Sequence, residues 1–314
     1  MKRFVIYILV VLSPLFLLMS YNIVVDHRGF VNERYVNSIA ESLQNEDISI
    51  FDDIPERKVV LKRIAQSKGK HFNKVVLGSS RIMLFGKPID ENVFNIAVSG
   101  AGIEDCIALV DKLKKNGISY DTLVLCADPW LLNKNHGDEQ YKVFYGDDNS
   151  KDIESIISWN YFLENLQSKS FKKWDGNEND FVRFKDGSIR YNKEHRENNL
   201  DVTGYAKRDT IYHLGGFENI DSNYKKTFID FILDQAKDAT VELILIPYHP
   251  LNYKRIIERV PTVVEAEKTF TSLNSSKVRV LGSYSPFKLS LERTGFYDAS
   301  HIKEDVLKRI YKMM

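Results

Sequence analysis

Two short stretches at opposite ends of the chain carry side chains that could do chemistry together: "VVLGSSR" (Val75 to Arg81) and "DASHIKED" (Asp298 to Asp305). A serine hydroxyl is a weak nucleophile until a neighbouring base takes its proton. An imidazole acting as that base needs a carboxylate to hold its tautomer and to stabilise the imidazolium that forms. Ser80 supplies the hydroxyl, His301 the imidazole, and Asp298, three residues earlier, the carboxylate. On one turn Asp298 and His301 can touch each other while both face Ser80. Each piece alone also has an ordinary reading. Gly78-Ser79-Ser80 after an apolar run is a common turn, His301 near a helix is a surface or capping residue, and Asp298 is a helix N-cap.

What joins them is the order of elements between. From Asn73 onward, strand and helix patterns alternate. Five apolar runs read as strands: "KVVLG", "VFNIAVSG", "DTLVLCADPW", "VELILIPYHP" and "KVRVLGSY". The third is too continuously apolar for a one-sided sheet, as buried parallel strands are. Ile103, Cys106, Ile107, Val110 and Leu113 recur at helical spacing, and Gly117 follows as a helix stop. Tyr224 to Ala239 is a second helix, with Phe228, Phe231, Ile232 and Ala236 on one face, and Pro261 is expected to interrupt a third helical region. This alternation predicts an α/β fold with a parallel sheet covered on both faces. In such a sheet ligands bind beyond the carboxyl ends of the strands. Four loops would converge there: Gly78-Ser79-Ser80, Ser99-Gly100-Ala101-Gly102, Asp128-Pro129-Trp130 and Asp298 to His301.

Before the sheet, the chain reads as an anchor over residues 1–25 and a stalk or N-terminal helical layer over 26–72. Phe4 to Val25 holds no charged residue and follows Lys2 and Arg3. About 20 apolar residues cross a ~30 Å hydrocarbon core as a helix. The positive-inside rule leaves the N-terminus cytoplasmic and the rest outside. A cleaved signal peptide would have a shorter apolar region ending at small residues, whereas the exit here reads "MSYNIVVDHRG". Pro14 is a possible kink. The main domain is expected over 73–314. Within it, about 131–224 is an insertion or cap, polar and aromatic, without a clean strand series.

The bulk numbers exclude several classes. Lys plus Arg total 44 against 43 for Asp plus Glu in 314 residues, so no basic excess points to nucleic acid. Two cysteines, Cys106 and Cys126, cannot form a disulfide framework and read as buried hydrophobes, a single bridge between them being the alternative. Seven histidines include no i, i+4 pair and no Cys partner at zinc spacing, so no metal is implied. "GSSRIMLFGK" misses the P-loop spacing, with Pro88 at its Ser/Thr position, and in "GAGIED" Asp105 stands where a dinucleotide fingerprint needs glycine. No cofactor is implied.

Other residues near the strand ends have two readings each. Arg81 could hold a carboxylate or sulfate of a glycan, or form an ion pair that fixes its own loop. His249 in "PYHP" could be a second base or substrate contact, or a satisfied buried histidine. Trp130, Trp159 and Trp174 could stack on sugar rings or simply pack.

Together "VVLGSSR", "NIAVSG", "LVLCADPW" and "DASHIKED" resemble the ordered blocks of the SGNH/GDSL hydrolase superfamily. More narrowly the chain looks like the membrane-anchored, extracytoplasmic branch found with polysaccharide acylation systems, including alginate acetylation and teichoic acid D-alanyl transfer proteins. "VVDHRG" and "ILIPYHPLNY" add to that likeness. It covers roughly Asn73 to Ile310 and leaves the insertion unmatched. The resemblance implies a flavodoxin-like three-layer fold, Ser80 as nucleophile, Asp298 and His301 as acid and base, and the backbone N–H groups of Gly100 and Ser80 as oxyanion donors. It implies acyl transfer or ester hydrolysis, acetyl above all, on a cell-surface polysaccharide. Where the family usually offers an Asn amide to the oxyanion, this chain has Asp128, and an anionic carboxylate cannot donate. Asp128 then either serves substrate binding or another purpose, or it marks weakened hydrolysis. The second reading is therefore a degenerate member that binds or assembles with a multi-spanning membrane acyltransferase or glycan exporter. A plain esterase or lipase would carry a hydrophobic lid, which the sequence does not show.

Overall fold

The structure, a computed structural model, describes residues 2–26, 28–51, 53–87, 89–133, 140–146, 156–167, 171–197, 219–260 and 262–312; the side chains of residues 2–6, 8 and 11 are not among those described. Pro88 and Pro261 lie outside the described residues. In chain order the elements are α1 (Lys2–Val25), α2 (Arg34–Asn45), β1 (Ile48–Ile50), α3 (Glu56–Gln66), β2 (His71–Leu77), β3 (Val93–Asn95), α4 (Ile103–Lys115) and β4 (Ser119–Cys126). Then follow α5 (Trp159–Gln167), β5 (Lys172–Lys173), β6 (Phe181–Arg183), β7 (Ile189–Arg190) and α6 (Lys193–Glu197). The chain continues with α7 (Ser222–Asp238), β8 (Thr240–Leu245), α8 (Pro250–Arg259), α9 (Thr262–Thr271), β9 (Val278–Gly282) and α10 (Glu304–Lys312).

The five apolar runs form one sheet in the order β3-β2-β4-β8-β9, every pair parallel. Register sets Val75 beside Leu123 and Leu123 beside Val241. Strand residues alternate between two cores, as a pleat requires. Val75, Leu77, Leu123, Leu125, Leu243 and Leu245 pack with Leu109, Leu113, Phe228, Val263 and Phe270 of the helices on one face. Val76, Val124, Cys126, Ile244 and Ile246 pack on the other face with Ile82, Phe85, Leu307 and Ile310. The protein is thus α/β, with a parallel five-stranded sheet between two helical layers.

Residues 26–72 are packed into the domain. Val60 and Ile64 of α3 join the main core, while Val36, Ile39, Leu43, Ile48 and Val59 form a smaller one. β1 pairs antiparallel with β5 and β6, and β6 with β7, in a second four-stranded sheet. The segment read as lacking strands therefore supplies three. They are two or three residues long, too short to show an alternating pattern, and β1, the partner of β5 and β6, lies far earlier in the chain. α1 runs 24 residues with Pro14 inside it. Among the described residues, no helix is long and apolar enough to cross a membrane. Cys106 and Cys126 are buried and free.

The turn after β2 depends on Gly78, whose φ is +128° and where a Cβ would lie 2.5 Å from the Cβ of Cys126 on β4. Gly78→Ala should combine backbone strain with overpacking and cost about 2–4 kcal/mol of stability in chemical denaturation.

Candidate active site

Because all five strands run parallel, their carboxyl ends share one edge, and the loops after β2, β3, β4 and β8 meet there. Leaving β2, Ser80–Ile82 winds into a 3-10 turn with Ser79 as its N-cap, the Ser79 hydroxyl accepting from the Arg81 N–H. Ile82 anchors the turn in the core. From beneath, the buried Asn95 side chain donates to the carbonyls of Ile82, Met83 and Phe85 at 3.4, 3.3 and 2.8 Å. Ser80 is left half-buried at the start of the turn. Its N–H is one of the donors that the first turn of a helix leaves without an intrahelical partner.

Opposite stands a loop closed by an antiparallel bridge between Phe296 and Ile302. His301 Nε2 lies 3.0 Å from the Ser80 hydroxyl. Its Nδ1 lies 2.8 and 3.0 Å from the two carboxylate oxygens of Asp298. Asp298 also accepts from the backbone N–H groups of Ser300 and His301, both at 2.8 Å. Burial pushes the Asp298 carboxyl up, but the His301 imidazole and these donated hydrogen bonds outweigh it and hold it well below the usual carboxylate range. Asp298 is not a helix N-cap, since α10 starts only at Glu304. An ionised carboxylate on Nδ1 fixes the proton there and leaves Nε2 as the acceptor facing Ser80.

Arg81, Asp128, Trp130 and His249, the candidate substrate contacts, are interior, at 2, 1, 2 and 2 % exposure. This fits the alternative readings of Arg81 as an ion pair fixing its own loop, Trp130 as packing and His249 as a satisfied buried histidine. Arg81 Nη1 donates to Asp128 at 2.7 Å, and the Ser79 hydroxyl donates to the other Asp128 oxygen at 2.7 Å. The remaining guanidinium donors reach the carbonyls of Ile246, Pro247 and Ser300, and its plane lies 4.1 Å from the Tyr248 ring centroid. Burial alone would lower the Arg81 pKa, yet Tyr248 and Asp128 hold it above the usual value. Asp128 is thus the counter-ion of Arg81. Trp130 Nε1 donates to the Ala101 carbonyl at 3.0 Å. His249 caps α8, its Nδ1 accepting from the Leu251 N–H at 3.2 Å, and burial pushes its pKa down to about 4.

The loop after β3 is held from the N-terminal layer. The Ser99 N–H donates to Glu56 at 2.8 Å, and the Ser99 carbonyl accepts from Arg57 at 3.2 Å. Arg57 also pairs with Asp105 at 2.8 Å, so the residue that spoils the dinucleotide fingerprint ties the loop to α3. Gly100 follows, exposed, with φ +63°.

Three aromatic residues at the site escaped sequence reasoning. Tyr191 sits edge-on to His301 at 6.1 Å and to Tyr297 at 5.1 Å, and stacks on His195 at 4.3 Å. His195 Nε2 lies 3.9 Å from Asp298. Burial pushes the His195 imidazole below its usual value; Asp298 opposes that shift and His301 reinforces it. Tyr191 and His195 belong to the insertion, where only a count of histidines had marked His195. No model of a known protein family matches the chain, and no curated protein matches it.

Asp128→Asn would leave the Arg81 cation buried without its counter-charge, at about 3–5 kcal/mol. Combined with Arg81→Met, the loss should fall short of the sum of the single losses by about 1–3 kcal/mol in a double-mutant denaturation cycle. His249 gives a pH test. With a folded pKa of about 4 against 6.5 for the free side chain, the unfolded chain binds more protons between those values. Its stabilisation is full above about pH 6.5 and drains away as pH falls towards 4. His249→Asn keeps an N-cap acceptor, so denaturation across that window should show a shallower slope with pH.

Proposed function

We propose that the chain is a membrane-anchored, extracytoplasmic acyl-transferase or esterase of the SGNH/GDSL type that moves an acyl group, acetyl above all, on a cell-surface polysaccharide. One observation carries this reading: the unbroken relay from Ser80 Oγ to His301 Nε2 at 3.0 Å and from His301 Nδ1 to Asp298 at 2.8 Å. The strand order β3-β2-β4-β8-β9 supports the flavodoxin-like arrangement, whose ligands sit where the order reverses, between the first strand and its neighbours. Ser80 follows that strand.

In the proposed reaction His301 takes the Ser80 proton as Oγ attacks the acyl carbonyl. The tetrahedral oxyanion is met by the N–H groups of Ser80 and Gly100. Collapse breaks the bond to the leaving alcohol, which receives the proton from His301, and leaves an ester on Ser80. A sugar hydroxyl or water, deprotonated by His301, then attacks that ester and frees Ser80. Asp298 stabilises the imidazolium in both halves.

Asp128 was the ground for a degenerate binding partner. Both its oxygens are held by Ser79 and Arg81, so its carboxylate is engaged in the scaffold, and what remains of that ground is the absent amide donor. The membrane anchor rests on the uncharged run Phe4–Val25 and on α1, 24 residues that at 1.5 Å each extend about 36 Å. The first side chains of that run are outside the described residues, and the others alone do not make a span.

The test uses the full chain in detergent micelles and a fluorophosphonate serine probe. A single adduct on Ser80 is expected, absent from Ser80→Ala and suppressed in His301→Ala, with both variants folded. Turnover of acetyl esters should fall roughly 10⁴–10⁶-fold in either variant. Normal turnover in both would end the proposal.

A further inference from the structure

Helix α5 wears its apolar residues on the outside. Trp159, Phe162, Leu163 and Leu166 follow the i, i+3, i+4, i+7 spacing of a helical stripe. Yet Trp159, Leu163 and Leu166 are 59, 38 and 54 % exposed, and Ile157 just before them is 51 % exposed. The residues buried against the domain are Tyr161 and Asn165.

That inward face forms a polar lock with the end of α1. Asn165 donates to the Asn22 side chain at 3.1 Å, and Asn22 donates to the carbonyls of Ile156 and Ser158 at 2.8 and 3.2 Å. The Tyr161 hydroxyl donates to Asp26 at 2.6 Å, and Asp26 accepts from the N–H groups of Phe30, Val31 and Asn32. Arg28 pairs with Glu164 at 2.8 Å. These bonds hold α5 beside the last two turns of α1, where Tyr21 meets Phe162 edge-on at 5.0 Å and Trp159 stacks on Phe162 at 4.9 Å. Leu15, Phe16, Leu17, Ile23 and Val24 of α1 are exposed as well. The exposed apolar surface therefore runs from one helix onto the other, and a folded domain rarely leaves such a patch to water.

We propose that the outward stripe of α5 lies in the interfacial layer of the lipid bilayer that α1 enters, with Trp159 at headgroup depth. The inference rests on the anchor reading above. Lipid is the occupant because one medium covers both surfaces: wherever it clothes the flank of α1, it must end at the level of α1's last turns, which is where α5 sits. An apolar helix face in that layer penetrates about 5–10 Å, and Trp and Tyr favour that depth. Through the Asn22 hydrogen bonds, this second contact would set the tilt and height of the domain above the membrane.

The experiment places the full chain in phosphatidylcholine vesicles whose acyl chains are brominated near the glycerol end, and reads tryptophan emission. Quenching by bromine is expected in the parent chain. Most of it should be lost in Trp159→Phe and in the double variant Leu163→Glu/Leu166→Glu, while alkaline carbonate fails to strip any of the three from the vesicles. Retention in carbonate without Trp159-dependent quenching overturns the inference and leaves the anchor standing. If Trp159 is then also shielded from aqueous acrylamide, a protein partner covers the stripe instead. Release by carbonate removes the anchor reading and this inference with it.

Discussion

The buried pair of Arg81 and Asp128 is the constraint on which the site depends. A guanidinium out of water is tolerated only when its donors are met and its charge is balanced. Here the donors go to Asp128 after β4, to Ile246 and Pro247 after β8, and to Ser300 in the histidine loop. Since Arg81 follows Ser80 directly, the cation that must be satisfied also fixes the peptide that carries the hydroxyl. His249 and Asn252 hold the Ala299 carbonyl from the other side at 3.1 Å each. Ser80 and His301 therefore meet at hydrogen-bond distance because four loops share one buried charge network, more than because of any attraction between the two side chains.

A second layer of support reaches in from outside the parallel sheet. Glu56 accepts from Ser99 on the loop after β3 and from Arg183 on β6 at 2.8 Å each. One carboxylate thus ties the loop that bears Gly100 to the small antiparallel sheet. That sheet in turn unites residues before the main domain with residues of the insertion, which leads on to Tyr191 and His195 beside Asp298 and His301. The described parts of the segment read as a stalk or N-terminal helical layer and of the insertion or cap are joined through this sheet, with Tyr191 and His195 beside Asp298 and His301.

How much of this could be read in the sequence follows from range. The five central strands are legible because burial on both faces makes them continuously apolar, as in Val75-Val76-Leu77 and Leu123 to Cys126. Ser80 is legible because it follows the end of an apolar strand, and Asp298 with His301 because a carboxylate and an imidazole three residues apart form a local pair. Arg81 and Asp128 stand 47 residues apart; an ion pair fixing the loop is one reading of Arg81, but nothing near either residue shows that the other is its partner. β1, β5 and β6 are too short to show a period. His195 lies on a five-residue helix whose only link to the site is through space.

On the proposed function, a carboxylate in place of a donating amide at Asp128 bears on how the site would choose its acceptor. With Asp128 consumed by Arg81, the oxyanion is left to the N–H groups of Ser80 and Gly100, and one missing donor costs roughly 10²–10³ in rate elsewhere. That deficit applies equally to forming the acyl ester and to resolving it, and equally to water and to a sugar hydroxyl, because all pass through the same tetrahedral anion. Under that proposal it would slow the site without biasing it towards transfer. A preference for a sugar acceptor has to come from binding energy realised with the sugar and not with water. The surface able to supply it would be the one beside His301 formed by Tyr191 and His195 of the insertion with Tyr297 of the histidine loop. On the proposed function, acceptor choice would then rest with the surface beside His301, and Asp128 with the scaffold that holds the Ser80 turn.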